Sequence, residues 1–75
     1  MYQRQLCAAL LRHLAAYPDA ADSLEGIRQW WLPEALRVAS LESLQQAVEA
    51  LVVTGEMRSR PLPDGTTLYT GAAGN

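Results

Sequence analysis

Phenylalanine and lysine are both missing from this 75-residue chain, which also has one cysteine, one histidine and no long apolar run. A lone Cys7 excludes a disulfide within the chain. With only His13 beside it, six residues away and off its face on a helix, there is no second His or Cys to complete a metal set. The expectation is therefore no metal and no cofactor. No stretch approaches the roughly 20 apolar residues that span a membrane. The start, "MYQRQLCAALLRHLAAYP", carries Arg4, Arg12 and His13 and no good small-residue cleavage pattern, so it does not read as a secretory leader. A reducing, cytoplasmic setting is expected. Gly65, Gly71 and Gly74 fall in a turn and a tail, so no glycine-rich phosphate loop is present.

What is there fits one small domain with a thin core. Hydrophobic residues make up 49% of the chain, enough for most of it to be ordered. All six basic residues are arginine, and the net charge is −2. The charges are unevenly spread. Residues 1–17 carry Arg4 and Arg12 and no acid. Residues 18–53 set Asp19, Asp22, Glu25, Glu34, Glu42 and Glu49 against only Arg28 and Arg37. Residues 54–75 balance Arg58 and Arg60 with Glu56 and Asp64.

Apolar spacing predicts a helix over 3–16. Leu6, Leu10, Leu14 and Tyr17 share a stripe, Cys7 and Leu11 widen it, and Pro18 stops it. That helix is apolar around more of its circumference than a small domain needs, which is either alanine filler or a second buried face. In "DAADSLEGIRQWWLPE", Asp22 reads as an N-cap with Glu25 completing a capping box, and Leu24, Ile27 and Trp31 share a face. Gly26 costs about 1 kcal/mol there relative to alanine, which suggests that another helix comes close. Pro33 bends or ends the segment, and "LPEALRVA" reads as a helical turn and a short extended link. Ser40 caps a third helix with the stripe Leu41, Leu44, Val48, Leu51 and Val52, closed by Gly55.

The rest, "TGEMRSRPLPDGTTLYTG", reads as a hairpin around Pro-Asp-Gly. Pairing Arg60 with Thr66 places Met57 opposite Tyr69 on the core side and projects Arg58 and Arg60 outward. The expected core is Leu6, Leu10, Leu14, Leu24, Ile27, Trp31, Leu44, Val48, Leu51, Met57 and Tyr69. The domain is expected over 1–71, with 72–75 a loose tail.

This order, three helices, a glycine and a hairpin, resembles a winged-helix domain. The likeness is sharpest in "LESLQQAVEALVVTGEMRSRPLPDGTTLY", where residues 41–54 take the recognition-helix position. The implied fold is a small α+β winged-helix domain with a two-stranded wing. The implied candidates for duplex DNA are Ser43, Gln45, Gln46 and Glu49 on the helix and Arg58 and Arg60 on the wing.

The residues themselves point elsewhere. The third helix has two glutamates and no cation, whereas affinity for duplex DNA comes mainly from cationic contacts with phosphates. Adjacent Trp30 and Trp31 point about 100° apart on a helix, so Trp30 is left partly exposed when Trp31 enters the core. Exposed aromatics are favoured anchors at protein interfaces. Trp30, Leu11 and Leu68 are the candidate partner-binding residues, and the first reading is a non-enzymatic protein–protein interaction module. Its partner would be another protein or a second copy. The alternative is a small dimeric DNA-binding transcription regulator. A chain this short leaves little room to enclose a small-molecule substrate, so no enzyme and no such substrate are expected.

Overall fold

The computed structural model describes residues 3–72. Helix α1 (Gln3–Ala16) is followed by a two-residue strand β1 (Ala21–Asp22). Helix α2 (Leu24–Gly26) runs on without a break as a π-helical turn, Ile27–Trp31. A short 3-10 turn, Glu34–Leu36, leads to α3 (Leu41–Val53) and then to strands β2 (Met57–Pro61) and β3 (Thr67–Gly71). The described residues are thus α+β, with three helices and an antiparallel sheet in the order β1–β3–β2. That arrangement is winged-helix-like. The sheet has one strand more than the expected hairpin, because β1 pairs with β3 through Ala21 with Thr70 and Asp22 with Tyr69.

The ends of α3 follow from their residues. Ser40 is extended, and its hydroxyl accepts the Ser43 N–H at 3.1 Å. Gly55, at φ +86°, takes the left-handed conformation that lets the chain leave the helix. The Glu56 N–H reaches Leu51 O at 2.8 Å and the Gly55 N–H reaches Val52 O at 3.1 Å, the paired bonds of a Schellman ending.

The start of α2 corrects the expected cap. Ser23, not Asp22, is the N-cap, and its hydroxyl accepts the Gly26 N–H at 3.3 Å. Asp22 belongs to β1, and its Oδ1 accepts the Ser23 N–H at 2.8 Å. What comes close to Gly26 is also not a helix: a Cβ there would fall on the Asp22 carboxyl. At the far end, Leu32 is extended at φ −92°, ψ 141°, as a residue before proline is obliged to be.

The hairpin register differs from expectation by two residues. Met57 faces Gly71, Arg58 faces Thr70, Ser59 faces Tyr69 and Arg60 faces Leu68. A two-residue slip keeps every side chain on its expected face. The turn is a three-residue loop, Pro63-Asp64-Gly65, closed by Leu62 N–H to Thr66 O at 2.7 Å with Gly65 at φ +92°. The Thr66 N–H donates to Asp64 Oδ1 at 2.9 Å. Ala72 is still tied to the sheet through its N–H to Glu56 O, and the rest of the expected tail, 73–75, lies outside the described residues.

The core gathers Leu6, Leu10, Leu14, Ile27, Trp31, Leu44, Val48, Leu51, Met57 and Tyr69 as expected. Leu24 is only half-buried against it. Ala9, Leu32, Ala39 and Ala47 are buried members that the spacing did not single out. Ala47 is where α1 meets α3: the Cys7 thiol donates to its carbonyl at 3.6 Å. Burial, and secondarily the Glu56 carboxylate, push the Cys7 thiol pKa up, so the thiol is held in its neutral form.

Candidate functional site

The two tryptophans part as their adjacency requires. Trp31 is 6% exposed, packed in the core, while Trp30 is 69% exposed. Both sit on the π-helical turn, anchored by buried Ile27 on one side and ended by Pro33 on the other. Wider turns of this kind are rare and recur at functional sites.

Trp30 does not stand alone. With His13, Ala16, Tyr17, Pro18, Asp19 and Ala20 it lines an open cleft of about 730 Å³. Tyr17 is 61% exposed, a correction to its expected place in the buried stripe of α1. The helix ends at Ala16, the Tyr17 N–H closes its last turn on His13 O at 2.8 Å, and the ring lies outside the core beside His13. His13 joins outer and inner rings. Its imidazole stacks on Trp31 at 4.6 Å and 15° between planes, and lies 4.9 Å from the Tyr17 ring. The histidine is thus a half-buried bridge between the core ring Trp31 and the cleft ring Tyr17.

The other expected partner-binding residues lie elsewhere. Leu11 lines a separate groove of about 350 Å³ with Leu14, Pro18, Gly55 and Glu56, and Leu68 sits opposite Arg60 on the outer face of the hairpin. Neither borders the Trp30 cleft, although the Leu11 groove shares Pro18 with it.

The candidate nucleic-acid residues are also sorted by the fold. Arg58 and Arg60 are exposed on the outer face of the sheet, beside Thr70 and Leu68. Glu56 O accepts from the Ala72 N–H and Leu62 N–H donates to Thr66 O, at the two ends of the β2–β3 ladder, so the alternate residues Met57, Ser59 and Pro61 turn their backbone groups to the free edge of β2. Pro61 has no N–H to offer there, and two flanking arginines repel a like edge, so this edge is poorly suited to accepting another strand. On α3, Gln46 and Glu49 face solvent with Glu42 and Val53. The Gln45 side-chain amide donates to Glu49 Oε2 at 3.0 Å. Ser43 is occupied by the cap, its backbone N–H held by Ser40 and its hydroxyl accepting from Ser40 Oγ at 3.1 Å. The outward surface of α3 is therefore acidic and partly self-bonded.

Among the described residues no group of three His, Cys, Asp or Glu side chains could hold a metal ion, and no helix is long and apolar enough to cross a membrane. No protein-family model matches the chain, and no curated protein sequence matches it.

Proposed function

We propose that this winged-helix-like domain is a non-enzymatic protein–protein interaction module whose docking face is the Trp30–Tyr17 cleft. The observation that carries this reading is the pair of exposed aromatic rings, Trp30 at 69% and Tyr17 at 61%, bordering one cleft with His13, which is itself stacked on the core ring Trp31. Exposed apolar ring area costs free energy in water, and a partner that covers it recovers that free energy. Tryptophan and tyrosine on a rigid base are the side chains that dominate binding energy at interfaces. His13 supplies such a base on one side, being backed by Trp31, which is buried in the core. The acidic, self-bonded surface of α3 supports the same choice over DNA, since it offers a phosphate backbone no cation. A role as adaptor or small subunit in the cytoplasm agrees with an unpaired Cys7.

The test is Trp30→Ala. The ring is mostly outside the core, so the variant keeps the wild-type melting curve while partner affinity falls by about a hundredfold, the loss typical of an anchor residue. A folded variant that binds its partner normally removes the reading.

One observation favours a second reading. Arg58 and Arg60 project from the hairpin, where a wing would meet phosphate, and a dimer would double them. If the chain is a dimeric transcription regulator, fluorescence anisotropy on mixed duplex DNA shows binding at low salt that falls steeply as salt rises. Arg58→Ala with Arg60→Ala removes two contacts per protomer and so flattens the slope of the dimer by about four. No binding at low salt removes it.

A further inference from the structure

We infer that the occupant of the Trp30 cleft is a second copy of this chain, paired about a twofold axis that passes near Tyr17. This rests on the cleft being a docking face, as argued above, and adds which partner fills it.

The cleft continues into a second one, and the two share His13, Ala16 and Tyr17. Their outer ends carry opposite charge. Asp19 borders only the Trp30 cleft, and Arg12, one helical turn before Ala16, borders only its neighbour. Both are exposed. The strip therefore reads anion, aromatic centre, cation. A twofold interface places a surface against its own reverse, so residue i of one copy meets residue j of the other and the reverse. Turned on itself, this strip sets Asp19 of each copy against Arg12 of the other, and both pairs close together. Trp30 borders only the Asp19 side, so the same operation brings each Trp30 onto the other copy's neighbouring cleft, beside Arg12 and Pro33. An unrelated partner would need the same charges at the same spacing, whereas the chain supplies them by symmetry.

The size of the surface fits a weak dimer. Two tryptophans and two tyrosines contribute roughly 600 Å² of ring area. The neighbouring Ala16, Pro18 and Pro33 bring the total toward the low end of specific interfaces, about 1,200 Å². Rim charge pairs of this kind set orientation and partner choice more than affinity.

The experiment is sedimentation equilibrium on the full chain at low salt, from about 5 to about 500 µM, the range in which so small an interface associates. A monomer–dimer equilibrium is expected, weakened at least about tenfold by Trp30→Ala. Asp19→Arg alone and Arg12→Asp alone each weaken it by about tenfold, because each sets like charges across the axis. The decisive sample mixes the two single variants. One then carries two arginines on the strip and the other two aspartates, so they pair with each other more tightly than either pairs with itself. Circular dichroism melts check that each variant is folded. A wild-type chain that stays monomeric throughout, or variants that fail to pair in the mixture, overturns the inference. A photocrosslinker at Ala16 separates this from the wider reading. If the chain is monomeric but that position still crosslinks to a different protein in a Trp30-dependent way, self-pairing fails and the docking face stands. If the chain is monomeric and no such adduct forms, both fail.

Discussion

Gly26→Ala is expected to destabilise the fold even though glycine is a poor helix former. The backbone at Gly26 is right-handed helical, φ −65°, ψ −40°, so nothing in its conformation requires glycine. Propensity alone would make alanine better by about 1 kcal/mol. Against this stands the Asp22 carboxyl, whose Oδ1, Cγ and Oδ2 all occupy the space an alanine Cβ would fill. Asp22 would have to swing out and give up the Ser23 N–H held at 2.8 Å. A hydrogen bond to a charged group contributes about 1.5–3 kcal/mol, and Asp22 is half-buried, so the lower end applies. With Asp22 swung out, the balance is a net destabilisation of about 0.5 kcal/mol. Urea unfolding followed by tryptophan fluorescence reads this as a midpoint lower by roughly 0.5 M, at a slope of about 1 kcal/mol per molar for a chain this small. The sharper test is the double-mutant cycle. In an Asp22→Ala background the obstruction is gone, so the same Gly26→Ala change should stabilise by up to about 1 kcal/mol. A change of the same sign in both backgrounds refutes the reasoning.

Three further outcomes follow from the same structure. Leu10→Ala, at a fully buried position between the helices, should cost about 2–5 kcal/mol and leave so small a domain largely unfolded by circular dichroism. Gly55→Ala meets no neighbouring atom, so any loss in its melting curve measures the left-handed φ alone, about 1 kcal/mol. Burial first, and then the Glu49 carboxylate, raise the Tyr69 pKa above its ordinary value. A raised folded pKa means that this contribution to stability is complete below the unfolded pKa and is lost as pH rises through the folded one. Ultraviolet titration should therefore show Tyr69 ionising above the unfolded value, with Glu49→Gln lowering it part of the way; a Tyr69 titrating at or below the unfolded value counts against the packing described.

Much of this fold is written locally. Ser40 and Gly55 bracket α3 because capping chemistry acts over four or five residues and needs no tertiary partner. The hairpin faces were legible because strand alternation has a period of two, and a two-residue shift in register leaves it intact. The register itself depended on which residues make the turn, and the three-residue loop closed by Leu62 and Thr66 moved it. Strand β1 is two residues long, too short for any alternation, and exists only because β3 offers an edge. The α2 cap was misread because Asp22 and Ser23 are both good caps, and Glu25 favoured the wrong one. Ala9 and Ala47 look like filler in sequence, yet small residues are what let helices approach. At the cleft, adjacency of Trp30 and Trp31 predicted that one would be exposed. Tyr17 was hidden by continuing the stripe of α1 past its end, and the presence of Pro18 was the signal that the stripe had stopped. Leu11 and Leu68 were grouped with Trp30 on hydrophobicity alone, which says nothing of which face each one occupies.

The most direct test of the docking face is site-specific photocrosslinking in the producing cell, with the crosslinker at Ala16 in the cleft and, as a control, at Gln46 on the outward surface of α3. A discrete adduct at Ala16, abolished by Trp30→Ala and absent at Gln46, is the predicted result. An adduct at Ala16 that survives Trp30→Ala, or adducts at Gln46 with none at Ala16, would contradict the assignment of this face.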